Sequence, residues 1–201
     1  VLYRRNWSNH ARLRPINMKG FTLIETLIAI TILTLAIAGP MVTASRSIVA
    51  AQTARDQLTA SYLAQEGIEY VRAMRDNEYL TAYQAGGSNV STTAWNNFLT
   101  ASINQCRGAT CTLDPSRSMG SGSGFSLVPC SPDSCPPLYL TQLSNGTYGY
   151  TEQGGTATPF TRTIQAIDVS QSDERIVSKV SWSFHGIPYS VTITDNLTPW
   201  Q

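Results

Sequence analysis

One carboxylate stands inside the longest apolar run of this 201-residue chain: Glu25, within Phe21-Thr-Leu-Ile-Glu-Thr-Leu-Ile-Ala-Ile-Thr-Ile-Leu-Thr-Leu-Ala-Ile-Ala-Gly-Pro-Met-Val42. An ionised acid at the centre of a membrane helix costs about 2.5–3.5 kcal/mol, less near an end. The cost invites a cation, and an amine from a neighbouring chain would serve while fixing the register of packed helices. A plainer reading makes Glu25 an acid in a first helical turn, favoured by the helix dipole. Four cysteines form the other reactive set, Cys106-x4-Cys111 and Cys130-x4-Cys135. Matched pairs of this kind suit two disulfides or a four-thiolate zinc site, with free thiols the third reading. An exported body favours disulfides, with the local pairs 106–111 and 130–135 the simplest of three connectivities.

Little else in the chain is equipped for catalysis. It has two histidines, His10 and His185, and no HExxH, phosphate-cradling glycine loop or paired-carboxylate signature. His185 reads as a solvated residue at a hairpin tip. Arg162 reads as a surface or paired side chain, and the tryptophans Trp95, Trp182 and Trp200 read as core rather than an adhesive patch. No catalytic residue, cofactor or resident metal is expected. The charge balance also speaks against nucleic acid. Residues 1–20 carry Arg4, Arg5, Arg12, Arg14 and Lys19 with no acid, so the remainder has 14 − 5 = 9 basic residues against 13 acidic ones. A net of −4 is the wrong sign for a polyanion-binding body.

The elements that position these residues follow from hydrophobic periodicity. At about 1.5 Å per residue, 21–42 spans roughly 33 Å as a helix, enough for a bilayer core. The basic residues before it keep 1–20 cytoplasmic and send the body outward. Gly39-Pro40 should kink or loosen the helix. Residues 41–77 contain no proline and a single glycine, Gly67, with Ile48, Ala51, Leu58, Leu63, Tyr70 and Met74 at spacings near three, four or seven. One helix from about 22 to 77 is predicted, on the order of 80 Å long; the alternative is an anchor followed by a separate soluble helix. The period stops after Tyr83.

Residues 84–93 and 114–137 read as loops, with Met119-Gly-Ser-Gly-Ser-Gly124 flexible. Leu138–Leu143 and Thr147–Tyr150 flank an Asn145-Gly146 hairpin signal. Phe160-Thr-Arg-Thr-Ile164 begins a strand, and Val180, Trp182 and Phe184 alternate before a His185-Gly-Ile-Pro188 turn. Tyr189, Val191 and Ile193 alternate after it. The predicted fold is α+β: a cytoplasmic leader (1–20), the membrane half of a long helix (21–42), its exported half (43–80) and a loop-rich antiparallel β head (81–201).

Lys19-Gly20-Phe21-Thr22-Leu23-Ile24-Glu25 followed by an uncut apolar helix resembles the class III signal of the type IV prepilin family. The resemblance implies that a prepilin peptidase cuts between Gly20 and Phe21 and methylates the Phe21 amine. It also implies that Glu25 aligns subunits during assembly. Met18-Lys19-Gly20 alone suffices as such a leader, which leaves residues 1–17 readable as an upstream extension. The rival is an ordinary secretory signal cut at Ala36-Ile37-Ala38, releasing a soluble chain from Gly39; Glu25 and the length of the run stand against it.

Leu63-Ala-Gln-Glu-Gly-Ile-Glu-Tyr-Val-Arg72, with Arg75-Asp-Asn77, is similar to PilV-like (pilus-modification) minor pilins, as are the Phe-x-Arg-x-Ile strand and the closing hairpin. The implied role is a structural subunit of a type IV pilus or related filament. Its partners would be other pilin subunits, the peptidase, the membrane assembly platform and lipid. A pseudopilin of a secretion or DNA-uptake system would share this filament core. A binding module that never polymerises is the reading from a different class.

Overall fold

The computed structural model describes residues 20–121, 125–130, 135–142, 146, 148–151 and 154–199. The chain divides after Val49 into two units. A helix, α1 (Leu23–Gln84), carries the first unit and opens the second. Over residues 23–49 every side chain is exposed, and this stretch holds a window apolar enough to cross a bilayer, none of it buried. Such an apolar surface is not left to water; lipid or other helices must cover it.

From Ala50 onward the chain is a head built on the second half of α1. The buried residues of the helix are Ala60, Leu63, Ala64, Gly67, Ile68, Val71, Met74 and Ala82. This corrects the predicted stripe, for Ile48, Ala51 and Leu58 are exposed and Tyr70 is only half-buried. The physical reason is size. Ala60, Ala64 and Gly67 give a narrow strip on which the sheet can close tightly, and a search for large hydrophobes passes over it. The helix also continues four residues beyond the expected boundary at 80, with Ala82 packed inside.

Beyond α1 come α2 (Val90–Asn97), a π-helical turn (Phe98–Ser102) and a 3-10 turn (Asn104–Cys106). Among the described residues nine strands follow: β1 (Thr110–Leu113), β2 (Ser118–Ser121), β3 (Phe125–Cys130), β4 (Tyr139–Gln142), β5 (Tyr148–Thr151), β6 (Thr156–Ala157), β7 (Thr161–Ser170), β8 (Asp173–Phe184) and β9 (Ile187–Leu197). Six form one sheet in the order β2-β3-β1-β7-β8-β9, and three form another in the order β5-β4-β6. All the pairings are antiparallel except β2 with β3. The architecture is the predicted α+β one.

Two predicted loops contain regular structure. Residues 84–93 overlap α2, whose Ser-Thr-Thr run is a poor helix former. Trp95 and Phe98 bury against the core, and the Trp95 indole donates to the Gln171 carbonyl at 2.8 Å, so tertiary contact outweighs propensity. Residues 114–137 hold β2 and β3, where Leu127 and Ser126 are fully buried. Of the expected flexible run, Met119–Ser121 belongs to β2, while Gly122, Ser123 and Gly124 lie outside the described residues. The β4–β5 pairing matches the expected hairpin; of its turn signal, Gly146 is described, with φ +82°, and Asn145 is not.

Two apolar clusters hold α1 to the sheets. Ile68, Val71 and Met74 pack with Phe98, Leu127, Ile164 and Ile176. Lower on the helix, Ala60, Leu63 and Ala64 pack with Leu138, Phe160, Val180 and Trp182. Full burial of an aliphatic or aromatic side chain stabilises by about 1.5–3 kcal/mol.

Candidate functional site

The candidate processing motif sits at the start of α1. Gly20 and Phe21 precede the helix, and Phe21 is 80% exposed, so the bond between them lies outside regular structure. Thr22 caps the helix: its hydroxyl accepts the Glu25 backbone N–H at 3.3 Å, and its carbonyl accepts the N–H of Thr26 at 3.2 Å. Thr-x-x-Glu is the spacing of a capping box. Glu25 is thereby held in the first turn, exposed, with no ion-pair partner among the described residues. From Phe21 to Ser45 it is the only charged side chain.

The remaining polar groups of this stretch are satisfied within the helix. The hydroxyls of Thr26, Thr31 and Thr34 donate to the carbonyls of Leu23, Ile28 and Thr31 at 2.8–2.9 Å. In hydrocarbon an unsatisfied polar group costs several kcal/mol, and this back-bonding removes that cost. Gly39 and Pro40 both lie within α1. Pro40 cannot donate to the turn before it, and the Thr43 hydroxyl donates at 2.9 Å to the Pro40 carbonyl. Glu25 alone is left as a group that needs a partner.

The seam between α1 and the large sheet holds a buried arginine. Arg162 on β7 is fully buried. Its guanidinium donates to Glu66, to the Leu63 carbonyl at 3.1 Å and to the Leu113 carbonyl at 2.9 Å. One side chain thus ties helix, β1 and β7 together. Burial lowers the Arg162 pKa from the ordinary guanidinium value, and the Glu66 carboxylate opposes that shift. Gly67 makes the approach possible: a Cβ there would stand 2.6 Å from the Ser178 hydroxyl and 2.8 Å from Ile164 Cδ1. Of the two roles open to Arg162 on sequence, the structure gives it the paired one and not the surface.

A second buried ion pair lies at the far end of the same sheet. Glu174 is fully buried and receives Arg107 through two contacts, 2.9 Å from Nε and 2.6 Å from Nη2. The bidentate hydrogen bond to Glu174 raises the Arg107 pKa against the opposing effect of burial. Arg107 sits between two bonded cysteines. Cys106 pairs with Cys111, and Cys130 pairs with Cys135, so all four sulfurs are in disulfides. The first bridge is completely buried, with Gly108 at φ +77° turning the short loop. A cleft of about 710 Å³ lies beside Arg107, lined by Ser91, Trp95, Asp168, Gln171 and Thr198.

The remaining single residues are quickly placed. His185 stands at the β8–β9 turn with φ +52°, exposed and edge-on to Phe184. Trp95 and Trp182 are 6% and 5% exposed, so neither offers an adhesive surface; Trp200 lies outside the described residues. Among the described residues no three His, Cys, Asp or Glu side chains converge as metal ligands.

Sequence reasoning missed Glu174 and understated Arg162. A signal existed for both. Arg162 shares parity with Phe160, Ile164 and Ala166, all buried, and Glu174 shares parity with Ile176, Ser178, Val180 and Trp182. A charge at an inward position of an alternating strand announces a buried pair.

The family described as the prokaryotic N-terminal methylation motif matches residues 16–39. No curated protein and no solved structure matches the chain. The matched stretch contains the Gly20–Phe21 bond, the Thr22 cap, Glu25 and the apolar half of the first unit. It supports a type IV prepilin-like signal of the kind that prepilin peptidases process.

Proposed function

We propose that the protein is a minor-pilin-like structural subunit, closest to the PilV-like kind, of a type IV pilus or related filament. In this reading a prepilin peptidase cuts between Gly20 and Phe21 and methylates the new Phe21 amine. The charged amine of one subunit then meets Glu25 of its neighbour at membrane depth. Gly39 and Pro40 supply a yielding point in the helix during packing. The head stays outside the membrane and carries surface contacts.

The observation that carries the reading is the methylation motif at 16–39 opening an apolar stretch, residues 21–45, whose one charge is Glu25. An exposed apolar helix needs a cover, and lipid followed by the helices of other subunits provides one. The lone carboxylate needs a cation, and removing one member of a desolvated pair costs about 3–5 kcal/mol. Glu25→Ala should therefore cut incorporation into filaments at least tenfold, since about 1.4 kcal/mol already gives that factor. The head should still fold and the chain should still reach the membrane. Incorporation unchanged by Glu25→Ala would remove the assembly role.

A further inference from the structure

The cleft beside Arg107 encloses about 710 Å³, within the roughly 300–1,000 Å³ usual for small-molecule sites. One wall is α2 with the turn after it, which offers Thr92, Asn96 and Leu99 from one helical face. The other is the end of β7 and its turn into β8, with Asp168 and Gln171. The Trp95 indole donates to the Gln171 carbonyl at 2.8 Å and so ties the two walls together.

Arg107 is held in place before anything binds. Its backbone bridges to Ala166 on β7, and the neighbouring Cys106 is bonded to Cys111. Its Nε and Nη2 are committed to the fully buried Glu174. Nη1 makes no hydrogen bond among the described residues, and 27% of the side chain stays open. Asp168, the register partner of Glu174, stands 3.5 Å from Nη2 and is 64% exposed. A donor and an anionic acceptor are thus presented side by side, already ordered, which lowers what a ligand must lose on binding. Stability alone does not ask for such a pair, since apolar side chains of similar volume often serve as well.

We infer that this cleft binds a neutral sugar, as a single ring or a short oligosaccharide. Charge turns away the main rivals. Arg107 against Glu174 and Asp168 leaves one net negative charge, the wrong sign for phosphate, sulfate or a carboxylate, while a bare cation would meet the guanidinium. Adjacent hydroxyls on a sugar ring suit both groups at once: one donates to Asp168 and its neighbour accepts from Arg107. The amides of Asn96 and Gln171 each donate and accept, which serves further hydroxyls. Leu99 and Pro199 give the C–H face of a ring an apolar contact. The inference does not rest on filament assembly through α1.

Saturation-transfer NMR on the full chain, held in a detergent without sugar groups, tests it with maltose, lactose, cellobiose and N-acetylglucosamine as probes. At least one should bind saturably. Asp168→Ala should weaken that binding about tenfold or more, the loss of one hydrogen bond to a charged group. Lys179→Ala, at an exposed position of β8 outside the cleft, should leave it unchanged, and sulfate should not displace the sugar. Should Asp168→Ala fold poorly, Thr92→Trp fills the cleft from an exposed position of α2 and should abolish binding. No saturable binding by any probe, binding unchanged in Asp168→Ala or Thr92→Trp, or displacement by sulfate would overturn the inference.

Discussion

Gly67 offers the sharpest test of how the head is held. In the interior of a long helix a glycine costs about 0.8–1.0 kcal/mol relative to alanine, so something must compensate for it. The sheet does so by standing where a Cβ would be, 2.6 Å from the Ser178 hydroxyl and 2.8 Å from Ile164 Cδ1. Both are well inside the 3.5–4.0 Å of ordinary contact. Ile164 is 1% exposed and Ser178 fully buried, so neither can retreat far. Overpacking of this kind costs about 1–3 kcal/mol. Subtracting the propensity gain leaves Gly67→Ala destabilising by about 1 kcal/mol. In a unit of this size that lowers Tm by about 2–4 °C.

Gly67→Leu must also displace Arg162, whose Cδ lies 3.4 Å from the same point, and should cost several times more. Thermal unfolding of the full chain in detergent, followed by tryptophan fluorescence, reads both variants. Removing the nearest atom gives the control. Ser178→Ala should recover part of the Gly67→Ala loss, with a coupling of about 0.5–1 kcal/mol in the double-mutant cycle. A Tm that rises with Gly67→Ala, together with strict additivity, would refute the close approach.

Other perturbations separate the remaining parts of the account. Glu66→Ala leaves the buried Arg162 guanidinium without its hydrogen-bonded carboxylate and with only the more distant charge of Asp114; with Glu66 itself 43% exposed, the loss should sit near the lower end of about 3–5 kcal/mol, and chemical denaturation will measure it. The two disulfides close loops of equal length, so chain entropy predicts a similar stabilisation of about 2 kcal/mol from each. Their accessibility differs. Under mild reductant Cys130–Cys135, which is half-buried, should open before the fully buried Cys106–Cys111, as differential alkylation and mass spectrometry would show. Arg107→Met should strand Glu174 inside the sheet and destabilise the head more than Arg72→Met, whose pairs with Glu69 and Asp195 lie at the surface.

The long helix and strands β7 to β9 were readable because their periods are clean and long. Phe160, Ile164, Val180 and Trp182 alternate in sequence as they do in the core. The narrow strip of α1 was not, because Ala60, Ala64 and Gly67 carry almost no hydrophobic signal and matter through what they leave room for. β2 and β3 were hidden by their glycine, serine and proline content, since their pairing is decided by distant partners such as Thr110 and Leu113. The N-terminal motif was legible because Lys19-Gly-Phe-Thr-Leu-Ile-Glu25 is contiguous in sequence, and a family model over residues 16–39 matches the same stretch. What the head packs into its seam, Arg162 over Gly67 and Arg107 on Glu174, becomes visible only when strand parity is applied to charged residues as strictly as to apolar ones.

The measurement closest to the central claim is the N-terminal residue and intact mass of the mature protein. The account predicts a chain that begins at Phe21 with its amine methylated. A chain that begins at Gly39, or one that keeps residues 19 and 20 ahead of Phe21, would contradict it.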